Sequence, residues 1–132
     1  MDQPLVERVL DWLSAGLAGD TAALDAACAP DFESIRCDEA GRVVKLTRQE
    51  LLSGPHAPKR CAGERTGEIH LLATSEYDGH EVALVRRAQQ GTAVLHTFVW
   101  RAERGQRRML LREFLYGESV VDGPLRNQQR PE

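Results

Sequence analysis

The chain has 132 residues, a formal net charge of −3, and hydrophobic and charged fractions of 42% and 28%. This length and composition are typical of one globular domain that folds without disulfides or a structural metal, and they exclude wholesale disorder. Positive and negative residues are interspersed, so the sequence gives no electrostatic support for nucleic-acid binding. No apolar run approaches the length of a membrane span, so we expect no membrane association.

Cysteine usage and the N-terminus predict a cytoplasmic protein, and the absence of binding motifs predicts that it has no cofactor. The three cysteines, Cys28, Cys37 and Cys61, are odd in number and too far apart for a zinc knuckle, which favours a reducing compartment. The acidic start Met1-Asp2-Gln3-Pro4 does not resemble a secretory signal. The sequence contains no phosphate-binding loop and no metal-spaced cluster of His, Cys, Asp and Glu, so we expect neither a cofactor nor a bound metal.

Two helices are predicted at the start of the chain. Between Leu5 and Leu17 the apolar residues recur at three- and four-residue spacing, which is typical of an amphipathic helix. Gly19 then ends the helix, because glycine readily adopts the left-handed conformation found there. Asp20 can cap a second helix, from Thr21 to about Cys28, because its carboxylate accepts from the unpaired amides of the first turn.

A short strand, a third helix and a loop follow. The stretch Phe32–Cys37 alternates apolar and polar residues and predicts a strand. The sequence Thr47-Arg48-Gln49-Glu50 has the spacing of a capping box and predicts a short helix that runs to Ser53. From Gly54 to Gly67, proline, glycine and charged residues occur without a period, which indicates a loop.

The second half of the chain predicts an antiparallel meander. Its four strands are Glu68 to Tyr77, His80 to Gln90, Thr92 to Ala102, and Arg107 to Ser119. Asp78-Gly79 between the first two is a strong hairpin signal. Helices followed by strands indicate an α+β fold in which the helices cover one face of the sheet. We expect one domain over residues 1–121 and a flexible tail over residues 122–132.

Four short segments in this layout resemble one known superfamily. Over about Leu5 to Ser119 the chain is similar to nuclear transport factor 2-like, SnoaL-like and ketosteroid isomerase-like domains. The segments that carry the resemblance are Ala18-Gly19-Asp20, Ala29-Pro30-Asp31-Phe32, Thr47-Arg48-Gln49-Glu50-Leu51-Leu52, and the terminal hairpin from Thr97-Phe98-Val99-Trp100 to Leu110-Leu111-Arg112-Glu113. The resemblance implies a cone-shaped, curved antiparallel sheet wrapped around the N-terminal helices, as in cystatin-like folds. It also implies an apolar pocket at one end of the cone and a homodimer.

The resemblance does not reproduce the isomerase constellation. Where ketosteroid isomerase-like enzymes hold an oxyanion-binding tyrosine, this sequence has Trp12, which can donate one hydrogen bond but is not a phenolic acid. Where they hold a general-base aspartate, it has Arg36, which stays protonated. The second acidic position falls near His96 or Thr97. Steroid-type isomerisation is therefore not predicted.

Two residues are candidates for proton transfer. By strand alternation His96 shares a face with Phe98 and Trp100, and both faces of this strand are apolar, which predicts a central strand covered on both sides. Imidazole titrates near neutrality and can act as acid or base. Glu113, if it points into the cone, could orient His96 or pair with Arg36. In the alternative interpretation His96 is a hydrogen-bonded core or interface residue.

Five residues are candidates for ligand contacts: Trp12, Arg36, His70, Arg112 and Tyr116. Arg112 and Glu113 lie on opposite faces of the last strand, so only one of them can enter the cone. If Arg112 enters, with Tyr116 on the same side, the pocket favours an anion. Alternation does not decide whether His70 faces pocket or solvent. In the alternative interpretations Trp12 is core packing, and the charged residues lie on the outer face or at a dimer interface.

These residues leave three functional classes open. The first is a module that binds a small apolar or anionic ligand in the cone. The second is a cofactor-independent enzyme of the isomerase, cyclase or hydrolase type that uses a pocket histidine or carboxylate as a proton shuttle. The third is a homodimerisation or protein-interaction module with a packed cone. A cavity lined by arginine but no base favours the first class, and a cavity with two titratable groups in hydrogen-bond reach favours the second.

Overall fold

Within residues 3–37, 40–54, 67–89, 92–102 and 108–119, which the computed structural model describes, the chain forms three helices and one six-stranded sheet. The helices are α1 (Leu5–Ala18), α2 (Thr21–Ala27) and α3 (Arg48–Ser53). The strands are β1 (Cys28–Cys37), β2 (Val43–Thr47), β3 (Glu68–Tyr77), β4 (His80–Gln89), β5 (Thr92–Ala102) and β6 (Arg108–Ser119). The predicted α+β fold is confirmed.

The junction between α1 and α2 follows the predicted local chemistry. Gly19 ends α1 in the left-handed conformation, with φ 68° and ψ 27°, which costs glycine little because it has no Cβ. The Asp20 carboxylate then accepts a hydrogen bond from the Ala23 amide at 3.1 Å and caps α2. This sharp reversal places α2 beside α1, ahead of the first strand.

The capping box of α3 is complete. Thr47 Oγ1 accepts from the Glu50 amide at 3.2 Å, and the Thr47 amide donates to Glu50 Oε1 at 2.9 Å. Two amides that the helix itself cannot pair are therefore satisfied. This arrangement fixes where β2 ends and α3 begins.

We expect the Thr47→Ala variant to lose about 0.5–2 kcal/mol of unfolding free energy, because it removes the hydroxyl that caps α3. Thr47→Ser keeps a hydroxyl at the same position and should lose much less. Urea denaturation followed by circular dichroism measures both variants. Equal losses in the two variants would show that the cap contributes nothing.

The meander is present as predicted and forms one side of the sheet. The strand order is β2-β1-β6-β5-β4-β3, and each pair from β3 to β6 is antiparallel. The β3–β4 turn has positive φ at both central residues, 47° at Asp78 and 75° at Gly79, which is characteristic of a type I′ hairpin. β5 lies in the interior of the sheet, as the apolar character of both its faces predicts.

Three features of the sheet differ from the prediction. β1 runs parallel to β6, with Ser34 opposite Glu113, so the sheet is mixed rather than wholly antiparallel. Strand β2, which was not predicted, pairs antiparallel with β1. β1 also begins at Cys28 rather than Phe32. Strand alternation describes one strand at a time and carries no information about its neighbour or its direction.

A bulge in β6 decides which side chains face the helices. Val99 pairs with Arg112 but Trp100 pairs with Leu110, so Leu111 is an extra residue in β6. The bulge reverses the alternation, and both Leu110 and Glu113 consequently point to the side covered by α1. We call this side the inner face.

The core lies between α1 and the inner face. Val9, Trp12 and Leu13 on α1 are buried against the sheet. The other large buried residues of the same cluster are Leu24, Phe32, Leu46, Leu51, Val85, Phe98, Trp100 and Leu110. The curved sheet thus wraps the first helix, and the polar groups on its inner face become the candidate site.

Two predicted segments lie outside the described residues. They are most of the loop between Gly54 and Gly67, at residues 55–66, and the tail over residues 122–132. Among the helices of the described part, none combines the length and the apolar character needed to cross a membrane.

Candidate functional site

Glu113 is a buried carboxylate that accepts three hydrogen bonds. It lies in the middle of β6 with 4% of its surface exposed. Its Oε2 accepts from Trp12 Nε1 at 3.1 Å and contacts His96 Nδ1 at 3.3 Å, and its Oε1 accepts from Ser34 Oγ at 3.3 Å. These partners come from α1, β5 and β1, so one carboxylate joins the helix to three adjacent strands of the sheet. A buried carboxylate is tolerated where donors surround it in this way.

The contacts of His96 define its tautomer. His96 Nε2 receives a hydrogen bond from Arg87 Nε at 3.4 Å. Because a guanidinium can only donate, Nε2 carries a lone pair and the ring proton sits on Nδ1, from which it is donated to Glu113. The imidazole is 2% exposed and stacks on the Phe98 ring, with centroids 5.3 Å apart and planes 7° from parallel. The histidine is therefore held on both nitrogens and on one face.

Arg36 extends the chain of hydrogen bonds toward the surface. Its Nε donates to Ser34 Oγ at 3.3 Å, and Ser34 in turn donates to Glu113. We call the set Trp12, Ser34, Arg36, Arg87, His96 and Glu113 the buried polar network. It holds two guanidinium groups and one carboxylate. Within the part of the chain that the structure describes, no carboxylate lies within ion-pair distance of Arg36 or Arg87.

A depression of about 230 Å³ opens at the Arg36 end of this network. Its apolar walls are Val44, Val94, Leu115 and Gly117, and its polar lining is Arg36, Cys37 and Arg42. Val94 is the register partner of Arg87 on β4. Arg87 therefore lies beside the depression, on the inner face. We call this feature the Arg36 depression. It combines cationic groups with an apolar surface.

A second cavity of about 260 Å³ lies between α1, α2 and the sheet. Two indoles, those of Trp12 and Trp100, contribute to its walls together with Ala15, Ala27 and Leu110. Arg8 lines the same space, and its guanidinium lies 4.9 Å from the centroid of the Trp100 ring. We call this feature the tryptophan cavity. Trp12 belongs both to its wall and to the buried polar network.

Solved structures that are similar to this chain include NTF2-like proteins. One of unknown function from Silicibacter pomeroyi has a TM-score of 0.70 at 12% identity, covering 86% of this chain and 92% of that chain. Another, of unknown function in nutrient uptake, from Rhodospirillum rubrum, has a TM-score of 0.60 at 20% identity, covering 86% of this chain and 98% of that chain. A cystatin-like fold protein from Burkholderia xenovorans has a TM-score of 0.63 at 9% identity, covering 84% and 86%. This chain has the NTF2-like fold.

Identities this low establish the fold alone, since NTF2-like architecture by itself does not specify an activity. A scan against protein-family models matched none of them, and a search of curated proteins gave no significant match. The function of this NTF2-like domain must therefore be argued from its own side chains.

The NTF2-like fold brings four of the seven candidate residues together. Trp12, Arg36, His96 and Glu113 all belong to the buried polar network. The position of Glu113 shows which residue of β6 enters the cone, and it orients His96 as the sequence suggests. Arg36 reaches the carboxylate through Ser34 rather than directly.

The other three candidates lie away from this network. Arg112 is on the outer face, where it donates to the Asp31 carbonyl at 2.8 Å and lies 3.5 Å from the Glu33 carboxylate. Tyr116 is 47% exposed. The His70 side chain is about half exposed and lies 3.5 Å from the Glu68 carboxylate. None of the three lines the Arg36 depression or the tryptophan cavity.

Two residues of the network were not identified from the sequence. Ser34 is fully buried between Glu113 and Arg36, and Arg87 covers His96 Nε2. The available signal was alternation: Ser34 shares a face with Phe32 and Arg36, and Arg87 shares one with Val85. A serine and an arginine in such positions look like ordinary strand residues unless the partner strand is known.

Among the residues that the structure describes, the thiols and acidic groups do not form a second site. Burial is the main reason that the pKa of the Cys28 thiol is raised to about 12, so this cysteine is a poor nucleophile. In the described ranges, no group of three His, Cys, Asp or Glu residues is placed to hold a metal ion.

An ion pair at the start of β1 perturbs the titration of Asp31. Arg101 Nη1 and Nη2 donate to its two carboxylate oxygens at 3.2 and 3.0 Å. These hydrogen bonds lower the pKa of Asp31 below its usual value. Asp31 thus ties β1 to β5 across the intervening strand β6.

This ion pair should make stability sensitive to acid. Because the pKa of Asp31 is lower in the folded state, its contribution is present above the unfolded value of about 3.9 and is lost as pH falls through the folded value. Asp31→Asn should flatten the loss of stability below about pH 4, and Arg101→Gln should do the same. Urea midpoints measured across this range test the effect. Identical pH profiles for wild type and Asp31→Asn would contradict it.

Proposed function

We propose that this NTF2-like domain binds a small anionic molecule with an apolar body in the Arg36 depression. The observation that carries the proposal is the charge imbalance of the buried polar network. Arg36 and Arg87 are half-buried, each reaches Glu113 through one neutral residue, and within the described chain neither has a carboxylate partner of its own. A half-buried guanidinium gains most from a carboxylate or phosphate that it can bind directly.

The lining of the depression supports binding over catalysis. Its described residues include two arginines and a cysteine but no histidine and no carboxylate. His96 and Glu113 are buried and already hydrogen-bonded to each other. A general base must reach the proton that it removes, and neither group is exposed to a ligand in this arrangement.

The walls and the volume of the Arg36 depression indicate the class of ligand. Val44, Val94 and Leu115 provide an apolar surface next to the guanidinium groups. A volume of about 230 Å³ is smaller than the pockets that hold drug-sized ligands. A short-chain carboxylate has both properties, because its alkyl part can contact the apolar walls while its head group binds Arg36.

Calorimetric titration with hexanoate tests this function. We expect saturable binding of hexanoate and much weaker binding of hexan-1-ol, which has the same apolar body without the charge. Arg36→Gln should raise the Kd at least about tenfold, since a charge-assisted hydrogen bond contributes about 1.5–3 kcal/mol. Arg112→Gln removes an arginine from the outer face and serves as the control. Absence of saturable binding, or equal affinities of Arg36→Gln and wild type, would contradict the proposal.

A second candidate function, acid–base catalysis, is supported by the contact between His96 Nδ1 and Glu113. This pair has the geometry of a base and the residue that orients it, 3.3 Å apart. An anionic substrate that draws Arg87 away from Nε2 would free the lone pair needed for proton abstraction. His96→Ala should then abolish turnover of that anionic substrate. Unchanged turnover of the substrate in this variant would rule out the proton shuttle.

We also propose that two chains associate through the outer face of the sheet. By strand register Val82 pairs with Val99, and Leu84 and Phe114 flank Thr97, on the side away from α1. A mostly apolar patch of this kind favours a protein interface. Sedimentation equilibrium at micromolar concentration should give the mass of two chains. The mass of one chain would exclude this association.

The predicted cytoplasmic location remains a proposal. It is supported by Cys28, which is a free thiol, as is usual in a reducing compartment. Thiol labelling of the protein in intact cells, followed by mass spectrometry, would test it.

A further inference from the structure

The tryptophan cavity lies far from the Arg36 depression along the strands that they share. Val94 lines the depression near the start of β5, whereas Trp100 lines the cavity near its end. Six residues of an extended strand span about 20 Å. The two spaces are therefore separate, and a ligand in one does not contact the walls of the other.

The walls of this cavity are shaped for a flat ring. Trp12 and Trp100 are 7% and 3% exposed, and both indoles border the space. The helices contribute small side chains to the same lining, Ala15 on α1 and Ala23 and Ala27 on α2, beside the polar side chains of Arg8 and Asp11. Large aromatic residues facing small methyl side chains leave a space that another aromatic ring can fill, stacked on or packed against an indole.

Arg8, one of the residues that line the same space, has a buried donor without a partner among the described residues. Arg8 Nε donates to the Gln3 carbonyl at 3.0 Å and Nη2 to Glu81 Oε1 at 2.6 Å. Its Nη1 is buried and finds no hydrogen-bond acceptor among the described residues. Such an unsatisfied donor is costly in a folded protein. An oxygen carried by a ligand would supply the missing acceptor beside the aromatic wall.

We propose that the tryptophan cavity is a second binding site, specific for a small planar aromatic molecule that carries a carboxylate or carbonyl oxygen. The ring packs between Trp12 and Trp100, and the oxygen accepts from Arg8. At about 260 Å³ the cavity limits the ligand to one or two rings. This site goes beyond the proposed function, because it uses different residues and a different ligand class.

Indole resonances provide a direct test with benzoate as the probe. The chain has two tryptophans, and both line the cavity, so both indole N–H signals in a nitrogen–proton correlation spectrum should shift saturably as benzoate is added. Benzamide, which keeps the ring and the oxygen, should also bind. Cyclohexanecarboxylate, which lacks the planar ring, should bind at least about tenfold more weakly. Unchanged indole signals at millimolar benzoate, or equal affinities for the planar and non-planar acids, would overturn the proposal.

Matched substitutions on α2 locate the binding. Ala27→Leu should fill the cavity and abolish the saturable shifts, and Ala23→Leu offers the same test at an exposed position if the first variant does not fold. Ala22→Leu makes the same change on the same helix outside the cavity lining and should bind benzoate like the wild type. Retained binding in a folded Ala27→Leu or Ala23→Leu protein would place benzoate elsewhere and overturn the site. Arg112→Gln, which removes an arginine from the outer face of the sheet, should leave the benzoate-induced indole shifts unchanged.

Discussion

Glu113→Ala should lower the free energy of unfolding by about 3–5 kcal/mol, one of the two largest losses that we expect from a single substitution. The carboxylate accepts from Trp12 Nε1, Ser34 Oγ and His96 Nδ1. Alanine would leave the indole and imidazole donors buried without acceptors, and each such group costs about 1–3 kcal/mol. Urea denaturation with tryptophan fluorescence measures the loss.

Glu113→Gln is the matched control for this prediction. Its amide oxygen can occupy the position of Oε2 and accept from Trp12 and His96, while its amide nitrogen can donate to Ser34. We therefore expect a loss of about 1 kcal/mol, the scale of one ordinary hydrogen bond. If alanine costs no more than glutamine, the carboxylate does not organise the core and the buried polar network has no structural role.

Local chemistry was sufficient to predict most of the individual elements. The period of α1, the left-handed Gly19, the Asp20 cap, the Thr47 capping box and the Asp78-Gly79 hairpin each depend on residues close together in sequence. Such features are governed by short-range hydrogen bonds and backbone preferences. They appear in the structure where the sequence places them.

The pairing of strands that are distant in the chain could not be predicted from local sequence features. The residues Val43–Thr47 contain no pattern that indicates pairing with β1. The residues of β1 likewise contain no pattern that indicates a parallel arrangement with β6. The bulge at Leu111 likewise appears only when β5 and β6 are aligned. These relations depend on which strands become neighbours, and the sequence pattern of one strand does not contain that information.

The candidate site shows the same contrast between local patterns, which were predicted, and long-range strand pairing, which was not. Alternation on β5 placed His96 with Phe98, and alternation on β6 separated Glu113 from Arg112, but the choice between the two faces needed the position of α1. Ser34 and Arg87 were missed because their roles come from neighbours on other strands. Residue type indicates what chemistry is available, whereas register decides which groups meet.

The second large loss of stability is expected for Phe98→Ala, at about 3–5 kcal/mol. Phe98 is fully buried, stacks on His96, and lies 5.4 Å from the Trp100 ring between centroids. Alanine would remove most of the side chain and leave a cavity between the buried polar network and the apolar core. The residues that surround it lie on several strands and on α1, so they cannot collapse freely into the space.

Two further variants isolate the packing effect of Phe98. Phe98→Leu keeps much of the volume and should lose no more than about 1.5 kcal/mol. Phe114→Ala removes the same side chain from the half-buried outer face of the sheet, and at concentrations where the chain is a monomer it should cost less than Phe98→Ala. Urea denaturation of all three proteins gives the comparison. Equal losses at Phe98 and Phe114 would mean that the inner face is packed no better than the outer face. In that case the packing of Phe98 against His96 would not explain how water is excluded from the His96–Glu113 pair.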